Sequence, residues 1–158
     1  MHPKILQKSK NIGVDGRLLE RAWQAEFYRA SMQVLPENIF ASVDVGSLHR
    51  SKGYLDFYIN DKHNWGIKLL RDGSNLDEHR RRFQKDGIYA PILKCVKEWA
   101  VIDIRNSKMK APKQEQREKN DIYVLCAENF ESVQLIYPDG TKDHVQLLGE
   151  ENLLGDHT

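Results

Sequence analysis

Apolar residues first recur at helical spacing at Leu19, Ala22, Trp23, Phe27 and Ala30, which predicts a helix from about Arg17 to Met32 with Asp15 as its cap. The preceding residues, 1–13, are polar and aperiodic and read as a loose arm. Glu26 interrupts the apolar stripe, seven residues after Leu19. A carboxylate on a buried helix face is costly unless it is paired, protonated or metal-bound. Pro36 closes the helical region. Beyond it the pattern becomes that of strands, and Ile39–Val45, Tyr54–Asn60 and Trp65–Arg71 read as three in succession. Leu48–Lys52, with His49, Arg50 and Ser51, forms the polar connection between the first two. Asp72-Gly73 marks a turn, and Asn75 with Glu78 has the spacing of a capping box. The helix it would start is short and basic, Leu76 to about Lys85, with Leu76 and Phe83 facing inward. Pro91–Lys97 reads as a further short helix or irregular segment.

The second half is richer in strand signals. Ala100–Ile104 is β-branched and reads as a central strand, and the lysine-rich run Asn106–Asn120 as a surface loop. Ile122–Ala127 and Val133–Tyr137 are two more strands. After the tight turn Pro138-Asp139-Gly140, His144–Leu148 closes a hairpin. Residues 151–158 read as a flexible tail, leaving one domain over 14–150. An order of helix, three strands, helix, strand, loop and further strands predicts an α/β fold, a mixed central sheet flanked by helices. That order resembles the core of the PD-(D/E)XK, or restriction-endonuclease-like, superfamily.

Composition narrows the classes. The 158 residues are 40% hydrophobic and 30% charged, ordinary for one globular domain with a core of its own. No apolar run approaches the roughly 20 residues that span a bilayer. The opening Met1-His2-Pro3-Lys4-Ile5-Leu6-Gln7-Lys8 lacks the apolar core of a secretory signal. Net charge is +1, so attraction to a polyanion has to come from local clusters. The two cysteines, Cys95 and Cys126, fall outside any CxxC spacing and read as buried, reduced thiols, with a disulfide or reactive site as the alternative; a reducing compartment fits them better. The six histidines show no zinc-ligand spacing, and no Gly-rich phosphate loop points to an ATPase.

The candidate chemistry lies in Gly53–Arg71. Metal-assisted phosphodiester cleavage needs hard oxygen ligands for Mg²⁺ and a group that positions or deprotonates water. One acid on a strand, a second on its neighbour and a lysine two residues later supply them compactly, because alternate strand residues share a face. Asp56 is such an acid, on a face with Tyr54 and Tyr58. On the next strand Gly66, Lys68 and Leu70 share a face opposite to Ile67 and Leu69, and the usual register brings Lys68 to Asp56. Glu26, from the helix, would be a further metal ligand. The run His79-Arg80-Arg81-Arg82, with Lys85, is a solvated helix face or a phosphate-contacting one. Asp103 and Arg105, two residues apart on one strand face, read as a structural pair. Tyr54, Tyr58 and Trp65 read as core.

Beyond that pattern, several blocks resemble the nuclease-like C-terminal domain of the Crinkler effectors of fungi and oomycetes. They are Trp23-Gln24-Ala25-Glu26-Phe27-Tyr28-Arg29, Asp44-Val45-Gly46, Gly53-Tyr54-Leu55-Asp56-Phe57-Tyr58-Ile59 and Trp65-Gly66-Ile67-Lys68-Leu69-Leu70-Arg71-Asp72-Gly73. Val101-Ile102-Asp103-Ile104-Arg105 and segments between Tyr123 and Val133 extend the likeness, so that it covers about Trp23 to Tyr137. The resemblance implies a restriction-endonuclease-like fold and Mg²⁺-dependent DNA cleavage. It also implies secretion followed by action in a host nucleus, with DNA and possibly a host protein as partner. Asp56 matches the first metal acid and Glu26 the helix acid. The second acid, a glutamate in the family, is Lys68 here. Leu70 stands where the wider superfamily has its lysine, leaving Lys68 or Arg71 to supply the positive charge. Two expectations follow: a metal-dependent DNase built on Asp56, Glu26, Lys68 and Arg71, or a pseudonuclease that binds DNA or a protein without cutting.

Overall fold

A computed structural model describes residues 1–10, 20–46 and 51–147. Asp15, the start of the first predicted helix, most of the connection at Leu48–Lys52 and the tail at 151–158 lie outside the described residues. The elements are α1 (Pro3–Lys10), α2 (Glu20–Val34), β1 (Ala41–Val45), β2 (Leu55–Ile59), β3 (Trp65–Arg71), α3 (Leu76–Arg82), α4 (Ala90–Leu93), β4 (Glu98–Arg105), β5 (Asp121–Cys126), β6 (Ser132–Ile136) and β7 (Lys142–Gln146). A 3-10 turn at Gln114–Gln116 lies within the loop between β4 and β5.

All seven strands form one mixed sheet in sequence order, β1 to β7. β1, β2 and β3 are antiparallel, β3–β4 and β4–β5 are parallel, and β5, β6 and β7 return to antiparallel pairing. A parallel neighbour requires a crossover. α3 and α4 supply the one between β3 and β4, and the loop with its 3-10 turn supplies the next.

Alternation along the strands gives the sheet two apolar faces. Ile67 and Leu69 join Ile39, Ala41, Phe57 and Ile59 in a cluster packed against Phe27 of α2. Leu70, one residue on, joins Val101, Phe83, Tyr89 and Ile92 beneath α3 and α4. A third cluster gathers Leu6 of α1, Trp23 of α2, Ile104, Cys126, Phe130 and Val133. The N-terminal residues are thus not the loose arm that their polarity predicts. Pro3–Lys10 is helical, and Leu6 is fully buried. One leucine is too little periodicity to mark a helix in sequence; docking against Trp23 and Phe130 stabilises it.

Three further expectations are corrected. Asn75 lies at φ 55° and makes no side-chain cap bond, so Asn75 and Glu78 form no capping box. A capping residue needs extended backbone, whereas this turn uses asparagine's tolerance of the left-handed region. Glu78 instead pairs with Arg82, and the helix ends at Arg82 rather than near Lys85. Of the cysteines, only Cys126 is buried; Cys95 is exposed in the connection after α4. The close of β3 is tightly built: Gly73 has φ 69°, and a Cβ there would lie 2.6 Å from Arg105 Nη2.

Candidate functional site

The strands β2 and β3 pair only through Phe57↔Ile67, Tyr58↔Gly66 and Ile59↔Trp65. β3 runs on to Arg71, paired with β4 along its whole length. From Lys68 onward, therefore, β3 parts from β2, and backbone groups on that side need other partners. Asp56 sits at the parting point. Its Oδ2 accepts a 2.6 Å hydrogen bond from the Leu69 N–H, replacing the missing strand bond. Its Oδ1 accepts from Lys68 Nζ at 2.9 Å and from Gln24 Nε2, on α2, at 3.0 Å.

Asp56 and Lys68 are both buried. Burial of a carboxylate requires compensation, and the ammonium provides it with a charge-assisted bond while the amide and Gln24 occupy further lone pairs. The expected proximity of Lys68 to Asp56 is found, with Lys68 standing where a cation would bind the carboxylate. A divalent ion about 4 Å from that ammonium would meet a repulsion of roughly 8 kcal/mol at an effective dielectric of 20, twice the value for unit charges.

The other predicted residues are placed elsewhere. Glu26 is buried but turned to its own helix and the N-terminus: Arg29 Nε and Nη2 donate to it at 3.2 and 3.0 Å, and the His2 N–H at 2.7 Å. Burial pushes the Glu26 carboxyl up, but the Arg29 bonds and the His2 amide outweigh it and hold the group below the ordinary range. Its partners are not those of Asp56. Among the described residues no group of three or more His, Cys, Asp or Glu side chains is arranged to hold a metal ion. Arg71 ends β3 three residues after Lys68, which by strand alternation places it on the opposite face.

The basic run divides. Arg80 is buried, and its guanidinium bonds Asp121 of β5, Asp77 and the Gln116 carbonyl, so it ties α3 to the sheet. Arg82 is partly buried and paired with Glu78. Arg81 and Lys85 are exposed. Asp103 and Arg105 form the buried pair that their spacing predicts, with Asp103 also accepting from the Gly73 N–H at 2.9 Å.

Two contributors escaped the sequence reading. Gln24 lies in the same block as Glu26, but neutral amides carry no metal signature. His79 belongs to the basic run, whose sequence carries no sign of burial. Its imidazole is held at about 4, lowered by burial first and then by the charges of Arg82 and Lys68. Its Nδ1 is buried without a hydrogen-bond partner. Beside Asp56, a cleft of about 950 Å³ opens between α2 and β1, with Glu20, Arg21, Gln24, Tyr28 and Asp44 on its walls.

The class these features define is a mixed α/β domain with a seven-stranded sheet and a buried carboxylate–ammonium pair where two strands part. No family model, curated protein or solved structure matches the chain. No helix among the described residues is long and apolar enough to cross a membrane.

Proposed function

We propose that this is a nuclease-derived domain of the Crinkler type in which the catalytic position is closed by an internal cation, leaving a fold that binds without cutting. The observation that carries the reading is the 2.9 Å contact between Lys68 Nζ and Asp56 Oδ1. The order α2, β1–β2–β3, α3, β4, with an antiparallel meander leading into a parallel strand, supports a restriction-endonuclease-like core. An acid at the parting point of two strands is where such a core would hold its metal. Lys68 takes that place in charge and in position. Mg²⁺ is then the cofactor of the ancestral reaction, and among the described residues Asp56 is the acid of the pattern still in its place.

DNA remains the partner this reading favours, contacted through the exposed Arg81 and Lys85 with Arg82 beside them, and acting in a host nucleus as the resemblance implies. Arg80, committed to Asp121, takes no part. Calorimetry with Mn²⁺ tests the closed site. The protein should give no saturable heat in the sub-millimolar range, whereas Lys68→Glu should bind the ion. Sub-millimolar binding by the unaltered protein, abolished in Asp56→Ala, would sink the proposal.

A further inference from the structure

The sheet has two edges among the described residues, β1 and β7. An edge strand offers unpaired N–H and C=O groups to any extended chain, and proteins usually blunt it with charge. β7 follows that practice: Lys142, Asp143, His144 and Gln146 surround a single Val145, and all five positions are exposed. β1 is less protected: its one charge is Asp44 near its end, it carries no basic residue, Val43 is 54% exposed, and Phe40 just before it is 53% exposed. The left-handed φ of Asp44, 50°, ends the straight part of this edge, and the Phe40 N–H and carbonyl are held by Asn60, so pairing is available to about Ala41–Val43.

The edge borders the cleft beside α2. Of the cleft's charged groups, Asp56 is already neutralised by Lys68, which leaves the Glu20 and Asp44 carboxylates against the single cation Arg21 among the described lining residues. Tyr28, 40% exposed on α2, adds an aromatic face. Carboxylates beside an aromatic ring suit a guanidinium or ammonium and repel a phosphate. A second copy paired edge to edge would bring its own Glu20 and Asp44 against these.

We propose that the β1 edge and its cleft form a docking site for an extended basic segment of another protein. The segment adds antiparallel or parallel to β1, sets its apolar side chains on Phe40, and on the opposite face, where Val43 lines the cleft, turns a lysine or arginine toward Glu20, Asp44 and Tyr28. Successive residues of a strand face opposite ways, so an alternating apolar–basic sequence satisfies both requirements. The proposal rests on the non-cutting reading of Asp56, because a working nuclease would need the cleft for its substrate.

The test uses a fluorescent peptide of about six residues, a usual strand length, alternating valine and arginine. Fluorescence anisotropy with the full chain should show saturable binding. The Glu20→Lys/Asp44→Lys double variant should weaken it about tenfold or more, the scale of reversing two rim charges. Lys142→Glu on the opposite edge should leave it unchanged. The same peptide N-methylated along the face that meets β1 should not bind. Equal binding of a valine–glutamate peptide, an unaffected double variant or full binding of the N-methylated peptide would each overturn the proposal. Plasmid nicking on the same samples separates the two readings. Cutting by the unaltered protein defeats the closed site, whereas absent peptide binding without cutting defeats only the docking surface.

Discussion

At Asp56 three donors converge on one buried carboxylate, and the cost of removing one depends on whether it carries charge. Lys68→Met leaves Asp56 buried without its cation, and should lower unfolding free energy by about 3 kcal/mol, as for other broken buried pairs. Asp56→Asn added to Lys68→Met should recover part of that loss. Urea denaturation of the two singles and the double measures the coupling, and additive losses would mean that the contact contributes nothing of its own. Mn²⁺ should raise the melting temperature of Lys68→Met but not of the unaltered protein, because only the variant leaves Asp56 uncompensated. His79 sets a pH dependence at the same scale. The unfolded imidazole takes up its proton near 6.5, the folded one only near 4. Proton uptake therefore favours the unfolded chain between those values, and the stability contributed by neutral His79 is lost as pH falls from about 6.5 toward 4. His79→Gln should flatten that part of the stability profile relative to the unaltered protein; superimposable profiles would contradict the assignment.

Elements are joined by buried charges as much as by apolar contact. Arg80→Ala should cost about 3 kcal/mol, since Asp121 would be left buried without its guanidinium, whereas Arg81→Ala on the exposed side should stay within about 0.5 kcal/mol. Thermal or chemical melts of the two variants compare adjacent residues of one helix directly. For the DNA binding proposed above the order reverses: Arg81→Ala and Lys85→Ala should weaken it and reduce its salt dependence. The N-terminal helix gives a second contrast. Leu6→Ala should cost about 3 kcal/mol and Ile5→Ala well under 1, because Leu6 is fully buried and Ile5 is 43% exposed. Equal losses in urea melts would mean that α1 is not docked as described.

For the whole molecule, the sequence pattern was most informative where one residue type could serve only one purpose. Trp65–Arg71, an apolar run between the turns at Asp61–Asn64 and Asp72–Gly73, is the strand found, with the same limits. Asp103 and Arg105 were paired by spacing alone and are paired in the sheet. The proximity of Lys68 to Asp56 followed from register. What could not be read depended on contacts distant in sequence. Arg80 looked like its solvated neighbours until Asp121, forty-one residues away, drew it inward. Leu6 gained its burial from Trp23 and Phe130, and Glu26 its partners from Arg29 and the His2 amide. The parting of β2 and β3, which gives Asp56 the Leu69 amide, is a property of the sheet and has no local signal.

These scales meet in one question, whether Lys68 has replaced the metal of an ancestral nuclease. A plasmid-nicking assay in Mg²⁺ and Mn²⁺ asks it most directly, with the unaltered protein, Lys68→Glu and Asp56→Ala side by side. The account predicts no cutting by the unaltered protein or Asp56→Ala, and nicking restored in Lys68→Glu. Cutting by the unaltered protein that disappears in Asp56→Ala would contradict it, making Lys68 a working partner of the scissile phosphate rather than the residue that closed the site.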